Sequence, residues 1–165
     1  MKPRIFKKEA FIIAGVAGSG DETAQVWETY MKLEKVCPIK NQAGEEGYEV
    51  RLNPAEGPGK VHVGVRVKDT NIPAEYKVCF IPAATYAEFE IYPAKGYGSS
   101  NAEMTEWLEE NADTYKEALL DGMPYAIEVY DKRFKGSDNP ESVVPIWIPL
   151  VPATEKKSVS KRKKQ

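Results

Sequence analysis

The order strand, helix, strand, strand is written twice along this chain of 165 residues. In the first half a strand is expected over residues 4–17, broken near Lys7-Lys8, with Phe11-Ile-Ile-Ala-Gly15 as its buried part. Asp21 is placed to cap a helix with Glu22 in its first turn. Ala24, Trp27, Tyr30, Met31 and Leu33 recur at helical spacing, and Pro38 ends the run. Tyr48-Glu-Val-Arg-Leu52 and Val61-His-Val-Gly-Val-Arg-Val67 then alternate as strands, with Asn53-Pro-Ala-Glu-Gly-Pro-Gly59 as the turn between them. In the second of these the valines face a core, and His62, Gly64 and Arg66 face away.

The second half repeats the plan. A strand region covers residues 75–92, interrupted at Pro82-Ala-Ala84. Ser100 or Asn101 caps a helix carrying Met104, Trp107, Leu108, Tyr115, Ala118 and Leu119, and Gly122-Met-Pro124 stops it. Two closing strands follow, at 125–131 and 143–150. Trp27 and Trp107 sit at matching places in the two helices. Two such units pair about a pseudo-twofold axis into one antiparallel sheet. The expected fold is therefore α+β, with two helices on one face and a ligand groove on the other. The domain is expected over residues 1–152, with pseudo-repeats at 3–70 and 74–151 and a disordered basic tail at 153–165.

Both closing strands are built to bury both faces. Val144, Ile146, Ile148 and Leu150 share one face of the last strand; Val143, Pro145, Trp147 and Pro149 share the other. In its partner, Ile127 and Val129 alternate with Ala126, Glu128 and Tyr130. A carboxylate among aromatics, on a face that a one-sided sheet would leave polar, has the composition of a small-molecule pocket.

Composition excludes several alternatives. No apolar run reaches the length of a membrane span and no signal-peptide stretch opens the chain, so a cytoplasmic protein is expected. Cys37 and Cys79 are too far apart for a disulfide framework or a zinc site, and no metal or cofactor is expected. The chain carries a net charge of −2, but its last residues from Glu155 hold six Lys or Arg and one Glu, so the body is −7. An acidic body disfavours nucleic acid as the main partner, except for weak contact through the tail. Gly15-Val-Ala-Gly18-Ser-Gly20 lacks the lysine and the glycine spacing of phosphate-binding loops. No serine sits in a nucleophile elbow.

Five segments, in order, resemble the GyrI-like small-molecule-binding domains, which are also the effector-binding domains of multidrug-responsive AraC- and MerR-type regulators. They are Trp27 in the first helix, Val63-Gly-Val65, Pro82-Ala-Ala-Thr-Tyr-Ala-Glu-Phe89, Ile127-Glu-Val-Tyr-Asp-Lys-Arg-Phe134 and Ile146-Trp-Ile-Pro-Leu150. The likeness covers about residues 3 to 151. It implies a groove between the halves that takes bulky aromatic or cationic compounds, with Glu128 as the central carboxylate and Tyr130 and Trp147 beside it. Trp27, Tyr48, His62, Gly64 and Tyr86 are further candidates for the groove wall. Pro145 stands where many relatives carry an acid. This removes a candidate charge and a backbone donor, so the strand is expected to be bulged or at an edge there.

The chain contains no helix-turn-helix segment, so a stand-alone binding domain that sequesters or senses its ligand is the leading expectation. A hydrolase of cyclopropanoid genotoxins, with Glu128 activating water and Tyr130 donating a hydrogen bond, is the alternative that the resemblance implies. A protein partner, as in relatives that restrain DNA gyrase, is the third.

Overall fold

The run from Arg4 to Ser19 forms two strands that pair at opposite ends of the sheet. In the computed structural model, which describes residues 2–153, β1 (Arg4–Lys8) and β2 (Phe11–Ser19) are followed by α1 (Thr23–Val36), β3 (Gln42–Leu52) and β4 (Lys60–Val67). The second half follows with β5 (Lys77–Ile81), β6 (Ala84–Ile91), a 3-10 turn at Pro93–Lys95 and α2 (Gly98–Glu110). It closes with β7 (Tyr115–Glu117), β8 (Leu119–Leu120), β9 (Met123–Tyr130) and β10 (Val144–Pro152). The basic tail expected from residue 153 lies, beyond Ala153, outside the described residues. No helix among those described is long and apolar enough to cross a membrane.

The main path of the sheet runs β1-β6-β10-β9-β3-β4-β2-β5, with β7 added to β10 and β8 to β9. All pairings are antiparallel. The path has the same form from either end: β1 corresponds to β5, β6 to β2, β10 to β4 and β9 to β3. The first strand of each half is exchanged, so β1 pairs with β6 and β5 with β2. The architecture is the expected α+β one, an open antiparallel sheet with two helices.

The exchange forces curvature. In a flat sheet, β1 and β2 would lie about 29 Å apart, six strand spacings of roughly 4.8 Å. Only Glu9 and Ala10 join them, and three Cα–Cα steps reach at most about 11 Å. The same holds for β5 and β6, joined by Pro82 and Ala83. The two wings must therefore curl toward each other. The concave face encloses Phe11, Ile13, Tyr48, Val50, Ile81, Tyr86, Tyr125, Ile127, Val129 and Trp147, all buried with no helix over them. Each large side chain so buried contributes roughly 1.5–3 kcal/mol.

Both helices lie on the convex face. Val26 and Tyr30 of α1 pack on Ala14, Val61, Val63, Val65 and Val67. Met104, Trp107 and Leu108 of α2 pack on Ala87, Phe89, Ile91, Ile146, Ile148 and Leu150. These helices cover β2 and β4 on one side and β6 and β10 on the other. The central strands β3 and β9 are left bare between them.

Local differences from expectation have local causes. The first strand breaks at Glu9-Ala10 rather than Lys7-Lys8. Glu22, not Asp21, stands at the start of α1 and makes no side-chain cap, while Asp21 accepts a hydrogen bond from Ser19 Oγ at 2.6 Å. The second helix stops at Glu110, well before Gly122. Asn111 closes it by donating from its side chain to the Trp107 carbonyl at 2.8 Å, and Tyr115–Glu117 pairs instead with the end of β10. Pro145 is at neither a bulge nor an edge. β10 pairs with β6 continuously from Val144 to Leu150, but with β9 only at Ile146 and Trp147. Both Pro145 and Pro149 fall outside that short ladder, where a missing N–H costs nothing.

Candidate functional site

Register decides which side chains meet in the gap between the helices. Glu49 of β3 is directly opposite Glu128 of β9, Gly47 opposite Tyr130 and Arg51 opposite Ala126. On β10, Ile146 is opposite Glu128, and on β4, Val63 is opposite Glu49. Glu49, Arg51, Ala126, Glu128, Tyr130, Ile146 and Ile148 therefore share the convex face. They floor a cavity of about 650 Å³ whose wall is Asn101, Met104, Thr105 and Leu108 of α2, with Thr23 and Tyr97 at its rim. That volume lies within the range of small-molecule pockets, roughly 300–1,000 Å³.

The groove thus lies on the helix side of the sheet, which corrects the expectation that it lies on the other. The reason is parity: Glu128, not Ile127, points to the convex face. Trp147 is opposite Ile127 and belongs to the concave core, where it donates from Nε1 to Glu88 Oε1 at 2.9 Å. Tyr48 and Tyr86 lie in the same core, against Trp147, with ring centroids 6.1 and 5.5 Å away. His62 is buried beneath β2, and its Nε2 is 3.1 Å from the Lys77 carbonyl oxygen. The space over Gly64 is taken by the backbone of β2: a Cβ there would collide with the Ala14 carbonyl oxygen, and one on Gly15 with the Val63 carbonyl oxygen. None of these five lines the cavity.

The remaining candidates converge. Tyr130 donates from its hydroxyl to Glu128 Oε1 at 3.1 Å. Trp27 of α1 stands on the same face beside the floor, donating from Nε1 to Glu49 Oε1 at 2.7 Å, its ring edge-on to Tyr130 at 5.3 Å. Two residues not among the sequence candidates complete the cluster. Arg51 donates from Nε to Glu49 Oε2 at 2.8 Å and lies 3.3 Å from Glu128 Oε2. Its Nη atoms donate to Thr23 Oγ1 at 2.5 Å and to the Gly20 carbonyl at 3.4 Å, tying the floor to the start of α1. Glu49 and Arg51 were visible as the polar positions of the alternating run Tyr48-Glu-Val-Arg-Leu52, the pattern also shown by a solvated strand face.

Glu49 is only 3% exposed and the Glu128 side chain 12%, so the two carboxyls titrate as a pair. Burial raises Glu128, and its hydrogen bond to Glu49 and that residue's charge raise it further. Arg51 and Tyr130 offset only part of this, and its pKa is pushed up to about 8. Burial also works against Glu49, but hydrogen bonds from Glu128 and Trp27 and the charge of Arg51 outweigh it and hold Glu49 low. At neutral pH the pair holds one proton, chiefly on Glu128, and Arg51 neutralises Glu49. The same burial, followed by the charge of Glu128, raises the hydroxyls of Tyr130 and Tyr97. The arrangement can hold a proton in a cavity of mixed polar and apolar lining, give it up, and present a carboxylate in its place.

An antiparallel α+β sheet with an acid-floored cavity between its two helices defines a class of ligand-binding domains. Residues 4–150 match the sequence profile of the family described as Cass2, integron-associated effector binding protein, and the chain belongs to that family. Comparison with curated protein sequences finds no significant match. Among solved structures, SAV2435 bound to tetraphenylphosphonium superposes with a TM-score of 0.70 at 14% identity, over 92% of this chain and 94% of that one. The EcmrR C-terminal domain superposes at 0.67 with 12% identity, over 91% and 97%. A hydrolase from Listeria innocua superposes at 0.52 with 14% identity, over 91% and 92%. At these identities the likeness is one of fold.

Proposed function

We propose that this protein binds bulky aromatic or cationic amphipathic compounds between α1 and α2, sequestering or sensing them. Its kinship within the effector-binding families is with the GyrI-like branch, and residues 3–70 and 74–151 are its two repeats. The observation that carries this reading is the Glu49–Glu128 pair buried beneath a cavity walled by Met104, Leu108, Ile146 and Ile148. A carboxylate there offers a charge to a lipophilic cation, and Tyr130 and Tyr97 offer aromatic faces. Tetraphenylphosphonium, the compound bound to SAV2435, has the size and chemistry such a site accommodates. A thermal-shift panel of aromatic cations, neutral aromatics and dyes tests the proposal. Stabilisation by at least one class, weakened in Glu128→Gln and in Met104→Ala, is expected. A panel that shifts nothing, or shifts that both variants keep in full, would overturn it.

One observation favours a second reading, hydrolysis of a reactive electrophile such as a cyclopropanoid genotoxin. Two carboxyls whose affinities for a proton are driven apart form an acid and base couple. Glu128 would donate its proton or position water, with Tyr130 hydrogen-bonded to it. Mass spectrometry of a cyclopropane-bearing compound after incubation separates the readings. Intact compound recovered from a demonstrated complex rules out turnover.

A further inference from the structure

We propose that Arg51 makes this cavity a site for singly charged cations and that the guest enters in exchange for the proton held between Glu49 and Glu128. The inference rests on the binding reading above and concerns the charge and stoichiometry of the guest. Two carboxyls face each other across β3 and β9, and one guanidinium reaches both, at 2.8 and 3.3 Å. With both carboxyls ionised the floor carries one net negative charge; with the shared proton in place it carries none. A second positive charge on the guest would find no counterpart in the floor. The only other lining carboxyl among the described residues is Glu117, whose burial favours its neutral form, and an unpaired charge in a partly desolvated site is costly.

Arg51 is not the group a guest displaces. Its Nε and Nη atoms are engaged by Glu49, Thr23 and the Gly20 carbonyl, so moving it would leave the buried Glu49 short of a partner. The labile member is the proton on Glu128, the more exposed of the two carboxyls. The titratable and charged groups around Glu128 are few. Glu49 and Arg51 face it from β3, Tyr130 from β9 and Tyr97 from the start of α2, with Glu117 of β7 also at the cavity wall. α1 contributes Trp27 and Thr23, and β10 only apolar Ile146 and Ile148. Since Glu128 must lose a proton to accept the cation, affinity rises with pH up to its own titration and then levels. The limit is about tenfold per pH unit for one proton.

Calorimetry of the full chain with tetraphenylphosphonium, in buffers of different ionisation heat, counts the proton. Release of about one proton near pH 6.5, falling toward zero near pH 9, is expected. Triphenylphosphine oxide, an uncharged relative of that probe, should bind without releasing a proton. Diquat, an aromatic dication with adjacent charges, should bind at least tenfold more weakly than tetraphenylphosphonium. In Arg51→Gln that ratio should shrink at least tenfold, and in Arg51→Lys it should stay near the wild-type value. Tetraphenylphosphonium binding with no proton release at pH 6.5, or an unchanged ratio in a folded Arg51→Gln, overturns the exchange while the binding reading stands. If Arg51→Gln does not fold, the wild-type proton count decides alone. No binding of any probe at either pH removes the binding reading and the exchange together.

Discussion

Replacing Glu128 by Gln should make the unliganded protein more stable at alkaline pH and remove a component of its pH dependence. The folded state keeps the Glu128 proton to about 8, against an ordinary value of 4.5. Between those values the folded chain holds more protons than the unfolded one. Stability therefore falls as pH rises through that window. Taken alone, the interval from 4.5 to about 8 corresponds to about 5 kcal/mol, at roughly 1.36 kcal/mol per pH unit. Glu49 is held low, so its own titration lies below 4.5 and does not enter between pH 5 and pH 9. From pH 5 to about 8 the Glu128 proton alone corresponds to about 4 kcal/mol. Gln keeps the neutral shape and can still donate to Glu49. Glu128→Gln should match the wild type near pH 5 and exceed it near pH 9 by about that amount, or roughly 8–16 °C in Tm. Urea or thermal unfolding followed by tryptophan fluorescence at both pH values measures the double difference. A variant that gains nothing at pH 9 relative to pH 5 would refute the shared-proton description of the floor.

Further perturbations probe the frame around the site. Trp27→Phe keeps the ring packing on Tyr130 but removes a donor from buried Glu49; a loss of about 1–3 kcal/mol in chemical denaturation is expected. Ile127→Ala in the concave core should cost about 2–5 kcal/mol, since that side chain is fully buried. Gly15→Ala places a Cβ on the Val63 carbonyl, so β2 must part from β4, and loss of soluble folded protein is the expected result by circular dichroism. Burial and then the Lys77 charge hold the His62 imidazole below its usual range, against the hydrogen bond to the Lys77 carbonyl. The unfolded chain takes up this proton below about pH 6.5, so stability falls with acidification there, and His62→Gln should lessen that fall in pH-dependent melts.

Much of the architecture was legible because it rests on short-range pattern. The alternation of β3, β4, β9 and β10, the helical spacing of Trp27 and Tyr30, and the repeated plan are all visible in the residues. The second helix was overextended because Tyr115, Ala118 and Leu119 fall at a helical period by chance, while the closure by Asn111 is a local hydrogen bond that spacing does not encode. The site was half legible. Glu128 and Tyr130 stand two apart on one strand, so their shared face needed no tertiary information. Trp147 was grouped with them by composition, and the structure places it on the other face.

The sequence by itself determined which residues of each strand point the same way, because successive side chains along a strand must alternate. It also determined that both faces of the closing strands would be buried. Only the tertiary structure decided how the strands align with one another. A slip of one residue exchanges every side chain between faces, and nothing within a single strand fixes its offset from the next. That alignment set Glu49 against Glu128, brought Arg51 between them and turned Trp147 away. The exchange of β1 and β5 between the halves then curled the sheet, and the concave face became core, leaving the gap between the helices as the groove.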